Sequence, residues 1–204
     1  MRQHTFPALL LGLVFLAPST GFAQQAPVKD PARVEAGPYT LEPNHTQVLF
    51  GVSHLGFTTF YGRFTGSAGT LDFEPKDVSK SKLSVTIETA SIETGNTKLD
   101  GELKDADWFD AQKFPAMTFE TTRIEKTGAD KGRITGNLTL HGVTRPVTLA
   151  VTFNGGGLNP INHKYTVGFQ AAGTIKRSMF GVKTYVPLVG DDVQLIISGA
   201  FEHN

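Results

Sequence analysis

The chain contains no cysteine. That absence excludes disulfides, cysteine-ligated zinc, iron–sulfur clusters, covalent c-type haem and thiol nucleophiles, so an exported form must be held by its core alone. An excess of either charge is also missing: 19 Lys and Arg balance 19 Asp and Glu. The cations are scattered, and nothing resembles the electrostatic footprint of a nucleic-acid binder. Trp occurs once and Tyr four times. The longest apolar run, Pro7 to Ala17, is too short to cross a bilayer as a helix.

What is present is phenylalanine, at 15 residues. Phe offers area and no polar handle, so an interior built from it is oily. The amino terminus reads as a cleavable secretory signal over 1–23. Arg2 and His4 form its basic start, the Pro7–Ala17 run its core, and Gly21-Phe22-Ala23 its small-residue end. Cleavage after Ala23 would release an exported protein; an uncleaved anchor is the alternative. Residues 24–38, rich in Pro, Ala and charge, read as a flexible leader. Residues 39–204 are then one domain, large enough to bury about 70% of its unfolded surface.

The stretch from Asn44 to Phe64 anchors the domain. Val48, Phe50 and Val52 alternate with Gln47, Gly51 and Ser53, the period of a half-buried strand. Phe57, Phe60, Tyr61 and Phe64 follow among Gly and Thr, as at a corner where a second strand begins. Six more alternating runs follow, over 62–73, 83–87, 117–121, 134–140, 147–153 and 165–175, and 193–201 closes the chain. One helix interrupts them, predicted over 97–109 from Leu99, Leu103 and Ala106, with Asn96 or Thr97 as its cap.

Eight long strands, one short α-helix and short connections predict an all-β, antiparallel, eight-stranded barrel. Such a barrel is either filled by its side chains or holds one small ligand. An outer-membrane barrel would turn its apolar parity outward, and alternation by itself does not say which face is inside. Gly136, Gly173 and Gly199 fall on the apolar parity, where a missing side chain relieves crowding or leaves room for a guest.

Reactive constellations are sparse. Ser53 and His54 are adjacent on a strand and point to opposite faces, which rules out a nucleophile–base pair there. His45 and His54 are nine apart, an odd spacing that separates them unless a bulge intervenes, with His141 as a third candidate ligand. No short metal-binding spacing occurs, so no catalytic or metal residue is assigned. Lys176 and Arg177 precede an apolar run, where a cation either holds a ligand head group or pairs with a carboxylate such as Asp191.

In order, the motifs resemble those of the YceI-like family. They are Tyr39-x-Leu-Glu-Pro-x-His45, Val48-x-Phe50-x-Val52-x-His54-x-Gly56, Gly62-x-Phe64-x-Gly66, Ser91-Ile92-x-Thr94, Leu103-x5-Phe109, Phe114-Pro115-x-Met-x-Phe119, the segment Gly136 to Val147, and Arg177-x-x-Phe180-Gly181. The resemblance implies an exported, periplasmic bacterial protein, a lipocalin-like barrel that carries or buffers a polyisoprenoid, a quinone tail or a fatty-acyl lipid, and not an enzyme. It implies no required cofactor beyond that lipid, and it leaves homodimerisation and transient membrane contact open. An enzyme acting on a lipid or quinone inside the barrel, and a non-binding structural module, are the alternatives. Strand parity selects Phe50, Val52, Phe60, Phe64, Val85, Phe119, Leu138, Phe153, Phe169 and Ile175 as the wall around the ligand tail. His54, Tyr61, Arg177 and Tyr185 are expected at the mouth, near a head group.

Overall fold

The computed structural model describes residues 26–204. The predicted signal and its cut site lie outside them. The strands are β1 (Gly37–Leu41), β2 (Gln47–His54), β3 (Thr58–Phe64), β4 (Ser67–Phe73), β5 (Lys82–Glu88), β6 (Ile92–Glu93), β7 (Ala116–Lys126), β8 (Lys131–Leu140), β9 (Val143–Leu158), β10 (Tyr165–Lys176) and β11 (Val189–His203). The helix α1 is Thr97–Lys104. All neighbours pair antiparallel. The sheet runs β1-β4-β5-β7-β8-β9-β10-β11 and closes where β1 pairs β11, Tyr39 opposite His203 and Leu41 opposite Phe201. This is the expected eight-stranded barrel with one helix.

Two of its walls are broken. β1 and β2 form one wall interrupted at residues 42–46, and both pair with β11. Pro43 has no N–H to give the ladder. The Glu42 carboxylate folds the chain there, accepting the N–H groups of Asn44 and His45 at 2.9 Å each. The Thr46 hydroxyl replaces a lost ladder bond by accepting the Ala200 N–H at 3.1 Å. β3 and β4 form the second broken wall, separated by Thr65 and Gly66; the sequence reads this stretch as one continuous strand.

The helix stops at Lys104 instead of Phe109. Asn96 caps its start, its side-chain oxygen accepting the N–H groups of Lys98 and Leu99. Asp105 then leaves the helical region at ψ 168°, and its N–H turns back to the Glu102 carbonyl. Asp is a poor helix interior residue because it competes for backbone hydrogen bonds. Phe109 still reaches the core, delivered by an irregular turn in which its N–H bonds the Leu103 carbonyl at 3.1 Å.

The segment expected to be a flexible leader is, from residue 26 on, laid across one end of the barrel. Val28 exchanges backbone bonds with Gly156 at 2.8 and 3.0 Å, and Val34 is buried against Val167 and Gly156. A β-carbon on Gly156 would stand 2.8 Å from Val34, so the glycine is what admits the strap. The barrel thus has an amino-terminal end, under this strap, and a helix end. The helix end carries α1, the β2–β3 hairpin, the β8–β9 turn and the 177–188 loop.

Candidate ligand-binding cavity

Inward side chains from every wall meet in one apolar cavity of about 620 Å³. That is within the usual range for small-ligand sites, roughly 300–1,000 Å³. The outward parity is polar: Ser84, Thr86 and Glu88 on β5, Thr148 on β9 and Gln194 on β11 are all exposed. A lipid-facing barrel needs the reverse, so the outer-membrane alternative fails on the direction of its side chains.

All ten residues selected by parity border the cavity. β2 gives Phe50 and Val52, β3 gives Phe60 and Phe64, and β5, β7 and β8 give Val85, Phe119 and Leu138. β9 contributes Phe153, and β10 contributes Phe169 and Ile175. Phe169 is the centre of an aromatic group. Its ring lies 5.4 Å from Phe153, 5.6 Å from Phe73 and 6.2 Å from Phe201. Leu149 and Leu195 also face inward, and the same alternation that gave their neighbours could have found them.

Space exists because glycines admit rings from the next strand. A β-carbon on Gly62 would lie 2.4 Å from the Phe50 ring, and one on Gly136 would lie 2.6 Å from the Phe119 ring. Rings that fold flat over glycine hug the wall instead of crossing the centre. Gly173 does the same for Leu149 at 2.6 Å. A β-carbon on Gly199 would stand 3.1 Å from the Phe201 ring, still tighter than an ordinary contact.

The mouth expectations divide. His54, Arg177 and Tyr185 border the cavity at the helix end; Tyr61 does not. Tyr61 alternates with Phe60 on β3, so its ring lies on the outer face, over Gly51 of β2. Its parity should have excluded it.

Trp108 borders the cavity with its ring 5.6 Å from the Arg177 guanidinium. Arg177 is buried and held by three carbonyls: Nε donates to Gly190 at 2.9 Å, Nη1 to Val182 at 3.2 Å and Nη2 to Val189 at 2.8 Å. Burial pushes its pKa below the ordinary guanidinium value, with the Asp191 charge opposing. It remains a cation at any physiological pH. Of the two cations, Lys176 makes a carboxylate pair, with Asp192 at 2.7 Å, and Arg177 makes no direct one. Asp191 instead accepts the N–H and the hydroxyl of Ser178, each at 2.8 Å.

The other histidines do not converge. His45 Nδ1 sits 2.6 Å from the Glu42 carboxylate on the surface. His141 lies in the β8–β9 turn with its ring 4.7 Å from Phe114. Among the described residues, no group of three or more His, Asp and Glu could hold a metal ion.

A closed antiparallel barrel around an apolar chamber belongs to the class of lipocalin-like ligand-binding barrels. The comparisons agree and narrow it. The family model of the YceI-like domain matches residues 39–201. Protein YceI of Salmonella arizonae is 41% identical over 157 residues, covering 77% of this chain and 81% of the relative. The crystal structure of Burkholderia cenocepacia BcnA superposes with a TM-score of 0.72 at 27% identity, over 78% of this chain and 98% of that one. A polyisoprenoid binding domain from Saccharophagus degradans has the same fold, with a TM-score of 0.59 at 15% identity, over 83% of this chain and 100% of that one. The chain belongs to the YceI-like family.

Proposed function

We propose that the protein is a periplasmic carrier or buffer for a long apolar chain, such as a polyisoprenoid, a quinone tail or a fatty-acyl lipid. The observation that carries this reading is the cavity itself, of about 620 Å³ and walled by Phe, Leu, Val and Ile. The polyisoprenoid-binding domain that shares the fold lends it support.

Magnitudes favour a long tail. Each buried methylene is worth roughly 0.8 kcal/mol. Ten of them supply about 8 kcal/mol, while association costs on the order of 4–15 kcal/mol. A short chain is therefore held weakly, and useful affinity needs many more carbons. The polar head stays at the helix end, where Arg177 is a buried cation with N–H groups to spare beyond its three carbonyl bonds. His54 and Tyr185 stand at the same rim.

The test is mass spectrometry of solvent extracts from the purified protein, followed by rebinding after delipidation. Recovery of a prenyl or acyl lipid, and its rebinding, is the expected result. Empty extracts with no rebinding of any long-chain lipid would remove the proposal. The protein is not assigned an enzymatic role. Quinone turnover abolished by His54→Ala would reverse that.

A further inference from the structure

Two loops of the helix end carry apolar side chains that nothing covers. Phe57 is 86% exposed and Leu55 47% exposed on the β2–β3 hairpin; Tyr185 is 65% and Leu188 62% exposed on the 177–188 loop. The loops are tied together, since the Leu55 N–H donates to the Leu188 carbonyl at 2.8 Å. The patch is continuous with the chamber. Tyr185 borders the cavity and meets Trp108, another lining residue, edge-on at 6.0 Å.

The turn is not built from the residues that such a turn prefers. Leu55 and Gly56 both have positive φ, 55° and 74°. That two-residue geometry favours Asn-Gly or Asp-Gly, and a leucine is costly there. A large apolar residue is held at the tip against local preference.

We infer that this apolar lip is a membrane-docking surface, through which the cavity receives its ligand directly from a bilayer. This inference rests on the carrier reading. Three observations choose a bilayer over other occupants. The proposed ligand resides in lipid and has no stable aqueous path to the mouth. Leucine, phenylalanine and tyrosine at a loop tip match the composition of interfacial anchors. The two ends of the cavity also differ. At the amino-terminal end three exposed charges, Lys126, Asp130 and Lys131, border it, against the single exposed charge of Glu102 at the helix end, so the amino-terminal rim is the poorer fit to hydrocarbon. Leu158 and Ile161 are exposed at that end, but neither borders the cavity. Docking by the helix end sets Tyr185 and Trp108 at the interface, so a tail slides from hydrocarbon to hydrocarbon without crossing water.

The experiment uses purified protein expressed from the complete sequence, stripped of lipid, with vesicles of equal parts phosphatidylcholine and phosphatidylglycerol. An isoprenoid benzoquinone is offered either in those vesicles or as a cyclodextrin complex. Its arrival is read from quenching of Trp108, the single tryptophan of the chain. The double variant Phe57→Ser, Leu188→Ser alters the lip and no lining residue. The wild type is expected to float with vesicles and the variant to sink. Vesicle-to-protein transfer should slow roughly tenfold in the variant, as expected from removing two buried anchors. Loading from cyclodextrin should match the wild type. Equal transfer from vesicles by both proteins overturns the inference. So does a wild type that never floats, or a lip that proves to join two copies by light scattering while transfer is unchanged. If neither protein loads from either source, the carrier reading fails; flotation of the wild type alone then still supports the lip, and its absence refutes it.

Discussion

Phe50 lays its ring over Gly62 on the adjoining strand, so closely that a β-carbon at 62 would stand 2.4 Å from Cζ. Residues 50 and 62 are directly paired in the β2–β3 ladder. The pair shows how the barrel keeps an interior made of aromatic residues from filling its own centre.

Gly62→Ala is therefore expected to push the Phe50 ring into the chamber. Overpacking of this kind costs about 1–3 kcal/mol. Urea denaturation should show that loss, and lipid capacity should fall with it. Unchanged capacity would mean that the ring escapes along the wall.

Phe169 joins three other rings, and truncating it should open the wall. Phe169→Ala is expected to cost about 3 kcal/mol, the lower end for a buried Phe, because one face of the ring already borders empty space. Phe169→Arg sets a charge in the path of the tail. Extracts of any folded Phe169→Arg protein should contain no lipid; normal lipid content would place residue 169 outside the binding path.

Arg177 ties the 177–188 loop to the start of β11 through the Val189 and Gly190 carbonyls, and braces the loop itself through the Val182 carbonyl. Lysine cannot span them with one point charge. Arg177→Lys should destabilise by roughly 2 kcal/mol through unsatisfied carbonyls. The readout is calorimetric melting, with a shift below the scan error counting against this role.

Asp191 sets an acid limit at the same place. Burial alone would raise its carboxyl; the Ser178 N–H and hydroxyl, with Lys176 and Arg177 nearby, outweigh that and hold its pKa below the ordinary 3.8. A carboxyl lowered on folding stabilises fully above its unfolded value and loses that contribution as pH falls through the folded one. Asp191→Asn should thus lower the melting temperature at neutral pH, and the gap to the wild type should shrink below pH 3.8. A gap independent of pH would show that the Ser178 contacts matter through geometry and not charge.

Much of the site could be read from alternation because a pleated strand turns successive residues to opposite faces. Phe50, Phe119 and Phe169 needed no more than that. The error at Tyr61 came from treating a corner as irregular when β3 keeps its parity through it. The helix ends at Lys104 because Asp105 leaves the helical region, a local event that the apolar spacing of Leu99, Leu103 and Ala106, which runs on toward Phe109, does not register.

The sequence by itself determined which side chains could line a barrel, since polarity at period two is a property of neighbours along the chain. Only the tertiary structure decided that the lining leaves a chamber. Volume depends on how rings from different strands settle over one another's glycines, as Phe50 does over Gly62 and Phe119 over Gly136. It also decided that Val34 and its strap lie on one end, and that Leu55, Phe57 and Leu188 meet as a lip at the other. Those contacts join residues far apart in the chain, and no local period encodes them.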